Sequence, residues 1–132
     1  MVERPEYQSE LFKKGLAVRK EVLGEDYVNA SLARADDFMA AFQQLTTEVA
    51  WGEIWTRPGL PRHTRSLLTI AMMVALNREE ELLLHLRAAE NNGVSEAEIR
   101  EVLLQCAIYC GVPAANSAFR AARELSNKRK AR

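Results

Sequence analysis

Residues 67–76, Leu-Leu-Thr-Ile-Ala-Met-Met-Val-Ala-Leu, would place apolar side chains on nearly every side of a helix. Pro61 suits the first position of that helix, where its missing N–H costs nothing. A helix of this kind has to be covered on most sides, and a chain of 132 residues has a core of limited size to cover it with. Contact between subunits is the expected means of covering the rest. Helical spacing of apolar residues recurs throughout, while no segment alternates convincingly with period two. An all-α fold follows, expected as one domain over residues 1–132.

The spacing predicts a first amphipathic helix over residues 9–23, with Phe12, Leu16 and Leu23 on one face, Arg19 interrupting that face and Gly24 as the stop. A loop containing Asp26 and Asn29 is expected next. Residues 35–51 read as a second helix with Phe38, Phe42, Leu45 and Val49 on one stripe, running into the aromatic segment Trp51-Gly52-Glu53-Ile54-Trp55. Arg57-Pro58-Gly59-Leu60-Pro61 breaks it, and the apolar helix of residues 61–76, with the Met72-Met73 pair in its core, follows. A fourth helix spans about residues 79–91 with Leu82, Leu86 and Ala89 inward, and Gly93 ends it in the left-handed conformation. Ser95 and Glu98 form a capping box that opens a fifth helix, carrying Ile99, Val102, Leu103, Cys106, Ala107 and Cys110. Gly111 and Pro113 stop it and start a last helix that reaches into the 120s. The closing Lys128-Arg129-Lys130-Ala131-Arg132 is expected as a frayed, solvated end.

Eighteen basic residues balance eighteen acidic ones, which leaves no electrostatic footprint for nucleic acid or an anionic membrane surface. The start Met1-Val2-Glu3-Arg4-Pro5-Glu6-Tyr7 is charged, and no stretch nears the ~18 consecutive apolar residues of a membrane span. A cytoplasmic location is expected. Cys106 and Cys110, the two cysteines, stand one helical turn apart, which suits neither a disulfide framework nor a Cys-x-x-Cys redox pair.

Few residues could carry chemistry. His85, between Leu82 and Leu86, is placed for a partly desolvated imidazole able to transfer a proton, the competing reading being a core histidine hydrogen-bonded to a backbone carbonyl. His63, beside Arg62 and Arg65, reads as a solvated surface histidine. Glu53, among Trp51, Ile54 and Trp55, would need a partner or a proton if buried, or else forms a salt bridge at a rim. Arg57, Arg62 and Arg65 surround a turn where guanidinium groups could grip carboxylates in bidentate fashion, though arginines near a turn are often merely solvated. Tyr109 could donate its hydroxyl into a pocket or pack in the core. Two histidines without carboxylates at ligand spacing suggest no metal site, and no glycine-rich phosphate loop is present.

The string Trp51-Gly52-Glu53-Ile54-Trp55-Thr56-Arg57-Pro58-Gly59-Leu60-Pro61-Arg62-His63-Thr64-Arg65-Ser66-Leu67-Leu68-Thr69 resembles the carboxymuconolactone decarboxylase family. So do His85-Leu86-Arg87-Ala88-Ala89, Asn92-Gly93-Val94-Ser95 with Glu98-Ile99, and Tyr109-Cys110-Gly111-Val112-Pro113-Ala114-Ala115-Asn116. The likeness runs from about residue 7 to residue 122. It implies the compact six-helix alkylhydroperoxidase-like fold and a homohexamer. Redox members of that superfamily carry a Cys-x-x-Cys pair just ahead of the histidine resembling His85; here Arg78-Glu79-Glu80-Glu81 stands in its place, so disulfide chemistry at that site is not expected.

The resemblance implies cofactor-free decarboxylation of 4-carboxymuconolactone to 3-oxoadipate enol-lactone, a step in the catabolism of protocatechuate by the β-ketoadipate route. Such a substrate carries its own electron sink, because electrons left by CO₂ delocalise through the ring double bond onto the lactone carbonyl. His85 is then the expected oxyanion donor or proton source, with Glu53 orienting it or sharing the proton. Arg57, Arg62 and Arg65 would recognise carboxylates, and Tyr109 would line the site. Fold alone does not fix function, so a non-catalytic scaffold oligomer, or a thiol-independent relative of the alkylhydroperoxidases, stays open on the sequence.

Overall fold

The computed structural model describes residues 3–131; Met1 and Val2 of the charged start and Arg132 of the basic tail lie outside them. The described residues are helical and divide into two compact units, one ending at Pro61 and the other beginning at Arg62. No helix among them is long and apolar enough to cross a membrane.

In the first unit a short 3₁₀ turn, Pro5–Tyr7, leads into α1 (Glu10–Leu23). Ser9 caps α1 by accepting from Phe12 N–H at 2.9 Å, and the Tyr7 ring stacks on Phe12 with centroids 4.7 Å apart. Phe12, Leu16 and Leu23 are buried as their spacing requires. Arg19 is buried with them, and Nη1 donates to Gln43 Oε1 (2.9 Å) and Thr47 Oγ1 (3.1 Å). Burial lowers its pKa. The expected loop around Asp26 and Asn29 is instead α2 (Glu25–Arg34). Gly24, at φ +98°, ends α1, Glu25 and Asp26 favour a helix N-terminus, and Val28 and Leu32 bury one face four residues apart.

Asp36 caps α3 (Asp37–Leu45) by accepting from Met39 N–H, so this helix starts two residues later than its sequence suggests. From Thr46 to Ile54 it continues as a π-helix, whose wider turn shows in the Trp55 N–H bonded to Ala50 C=O. The stripe Phe38, Phe42, Leu45 and Val49 faces outward, Phe38 being 88% exposed, and the opposite side buries Ala40, Thr47 and Trp51. Gly15 is what lets α1 lie against the π-helix: a Cβ there would run into Thr47 C=O and come within 2.9 Å of Gly52 N.

The second unit opens with α4 (Arg62–Ala75) and turns back through Asn77, which takes the left-handed conformation that asparagine tolerates, into α5 (Glu79–Ala88). A 3₁₀ turn, Ala89–Asn92, and left-handed Gly93 follow. The capping box forms as read, with Ser95 Oγ accepting from Glu98 N–H and Glu98 accepting from Ser95 N–H, and opens α6 (Glu96–Tyr109). After Gly111 comes α7 (Val112–Lys130). The basic end is not frayed as far as Lys130: it is helical, and Arg129 donates to Arg87 C=O at 3.0 Å. The core joins Ile70 and Val74 of α4 to Leu82, Leu86, Leu103 and Ala118. The other side of α4, Leu68 and Met72, is exposed, as is Leu76 just after the helix, so Met72 does not share the core position expected of the methionine pair. Seven α-helices thus stand among the described residues rather than six, the additional one being α2.

Gly15→Ala is expected to destabilise the protein by about 3 kcal/mol, because backbone on both sides of the new methyl group cannot rotate away. A denaturant midpoint unchanged within error would show that α1 and the π-helix can separate freely.

Candidate active site

His85 lies on α5 between Leu82 and Leu86, whose burial seats the helix and leaves the imidazole half-buried. Its Nδ1 is buried with no hydrogen-bond partner among the described residues. No backbone carbonyl anchors the ring through that atom. Desolvation pushes the His85 pKa below its ordinary value near 6.5, and Glu81 one turn earlier opposes the shift only in part. The ring is therefore neutral at pH 7, with one nitrogen available to donate and the other to accept.

Arg62 and Arg65 occupy the first turn of α4, both half-buried, and Thr69 Oγ1 donates to Arg65 C=O at 2.8 Å. Three residues apart on a helix, they lie on one side. That turn contains no acidic residue, so the two guanidinium groups add to the positive end of the helix dipole. Tyr109, at the last position of α6, is 82% exposed, so it neither packs in the core nor enters a pocket of its own unit.

Glu53 and Arg57 belong to the first unit. Glu53 sits in the π-helix and is exposed, so the cost of burying it that its aromatic neighbours suggested does not arise; Trp51 turns inward and stacks on Trp55 with centroids 4.9 Å apart. Arg57 follows in the turn, also exposed, its N–H bonded to Ile54 C=O.

His63 was misread from the sequence. It is half-buried, and its Nε2 lies 2.6 Å from Glu98 Oε2. The Ser95 N–H, with His63 adding to it, holds the Glu98 carboxyl below its ordinary range. The capping box was a visible signal for Glu98, but nothing local points across 35 residues to His63.

Cys106 is buried and Cys110 exposed, both are free thiols, and burial pushes the Cys106 pKa up, away from the reactive thiolate. No group of three or more histidine, cysteine or acidic side chains among the described residues is arranged to hold a metal ion.

Residues 40–124, which include every candidate above, match the sequence profile of the carboxymuconolactone decarboxylase family. The chain belongs to this family. It is 55% identical over 114 residues to the 4-carboxymuconolactone decarboxylase of Acinetobacter baylyi, an alignment covering 86% of this chain and 85% of that protein. It is also 50% identical over 108 residues to the nitrosuccinic acid decarboxylase of Metarhizium robertsii, covering 82% of this chain and 76% of that one. Membership accounts for the all-helical architecture, and both relatives are decarboxylases by name.

The direction of the His85 shift fixes a pH dependence. Above pH 6.5 the ring is neutral whether the chain is folded or not; below it the unfolded chain binds a proton that the folded chain resists, so stability falls as pH drops from 6.5 toward the lower folded value. Denaturant titrations between pH 7.5 and 5 should show this slope flattened in His85→Gln. Glu98, also lowered, acts in a separate window, since its contribution is lost only as pH falls below about 4.5. An identical slope in the variant would place the titrating group elsewhere.

Proposed function

We propose that this protein decarboxylates 4-carboxymuconolactone to the enol-lactone of 3-oxoadipate, using no cofactor. The observation that carries the reading is the 55% identity, along most of both chains, to a 4-carboxymuconolactone decarboxylase. The two relatives' names share a chemistry. Each names a molecule with more than one carboxyl group and with its own electron acceptor, a conjugated lactone carbonyl in one and a nitro group in the other. Loss of CO₂ leaves an electron pair that such an acceptor takes up, so the protein has to supply only grip, charge stabilisation and a proton.

His85 is suited to the second and third tasks. As the C–C bond to the leaving carboxylate breaks, charge gathers on the lactone oxygen, and a neutral imidazole N–H can donate to it without first being ionised. The substrate's own negative charges, once bound, favour the protonated ring and so oppose the effect of burial, which prepares it to deliver a proton to the α carbon. Arg65, with Arg62 on the same side of the first turn of α4, holds the carboxylate that remains in the product. The reacting carboxylate gains most from being left poorly solvated.

Supplied with freshly generated 4-carboxymuconolactone, the protein should release CO₂, and His85→Gln should turn over on the order of 10²–10⁴-fold more slowly while keeping its helicity. Near-normal turnover in that variant would remove His85 from the chemistry; no release by the unaltered protein would leave the binding or scaffold role.

The working unit in this reading is a homohexamer. Leu68 and Met72 on the outer side of α4 and Leu76 just after it repeat every four residues, while Phe38, Phe42 and Leu45 line α3, and every one is at least 42% exposed. Apolar rows of that length are unusual on a monomer surface. Light scattering should give about 90 kDa for six copies of a 14.9 kDa chain, and Met72→Lys should reduce that mass. A stable 14.9 kDa species at micromolar concentration would refute assembly.

A further inference from the structure

Glu98 uses both carboxylate oxygens. Oε1 accepts from Ser95 N–H at 3.0 Å and closes the cap of α6, while Oε2 accepts from His63 Nε2 at 2.6 Å. The first turns of α4 and α6 are thereby joined by a hydrogen bond in which both side chains are only about two-fifths exposed. The turn on the α4 side is the one that bears the arginines. It carries Arg62 and Arg65 with no acidic residue of its own, and cationic groups at a helix N-terminus work against the helix dipole and favour fraying.

At 100° per residue, His63 and Arg65 are about 200° apart around α4. A tether at His63 therefore grips the turn from the side opposite Arg65. A bond from that side fixes the rotation of the turn about the helix axis.

We propose that His63 and Glu98 are a positioning pair: their hydrogen bond holds the first turn of α4 in the register at which Arg62 and Arg65 receive the carboxylate of the substrate. This rests on the reading of those arginines given above. Neither member of the pair touches substrate. Its loss should weaken binding of the anionic substrate and leave the decarboxylation step, carried by His85 on α5, largely intact.

The test compares kcat and KM for 4-carboxymuconolactone in the full-length assembled protein. His63→Leu should raise KM on the order of tenfold with kcat little changed. His63→Arg, which keeps a donor toward Glu98, should bring KM back close to that of the unaltered protein. A merely structural role would lower the melting temperature and the active fraction of His63→Leu without moving the KM of what remains. Should the leucine variant not fold, His63→Ala removes the same donor with the best helix former and reads the same KM. An unchanged KM in His63→Leu or His63→Ala overturns the proposal, as does a KM equally raised in His63→Arg. Arg65→Leu keeps the two ideas distinguishable: if its KM is normal the arginine reading fails, whereas a raised KM there beside a normal KM in His63→Leu overturns the positioning pair alone.

Discussion

One side of α4 is bound to the core and the other is not, and much of the second unit is arranged around that division. Ile70 and Val74 are held among Leu82, Leu86, Leu103 and Ala118, which fixes the helix against α5, α6 and α7. Because the inner side is fixed, the remaining positions have set directions: Leu68, Met72 and Leu76 point out, and Arg62 and Arg65 stand at the N-terminal end. A close-packed core transmits position, so side chains at its margins inherit their placement from residues they do not touch.

His85 shows how the same packing prepares chemistry. Leu82 and Leu86 are buried on either side of it, so the imidazole is desolvated with Nδ1 unpartnered, and an ordinary histidine becomes a neutral donor and acceptor at pH 7. A substrate with an internal electron sink asks for little more, which is consistent with a decarboxylase family whose members resemble this chain over most of their length.

The parts of the fold legible in the sequence were those governed by neighbours a few residues away. Ser95 and Glu98 announced a helix start and made one, Gly93 and Gly111 took positive φ where stops were read, and Phe12, Leu16 and Leu23 were buried at helical spacing. Helix α2 was not legible because Asp26 and Asn29 look like turn residues, although Val28 and Leu32 four apart carried its signal. In the site, the shielding of His85 followed from the leucines around it. Glu53 did not follow, because the π-helix turns Trp51 inward and leaves the carboxylate outside, and a change of helical pitch has no reliable mark in the sequence.

The sequence by itself determined that the chain is helical, where most of its helices begin and end, and the family to which it belongs, because caps, breakers and periodic burial act over one or two turns. Only the tertiary structure decided which apolar stripe is covered: Phe38, Phe42, Leu45 and Val49 have the spacing of a core face and lie in the open, while Arg19 is charged and lies inside. It alone joined His63 to Glu98 across 35 residues. Both outcomes depend on how helices pack, and a packing angle is set by the shapes of all the side chains in the contact together, which no local stretch encodes.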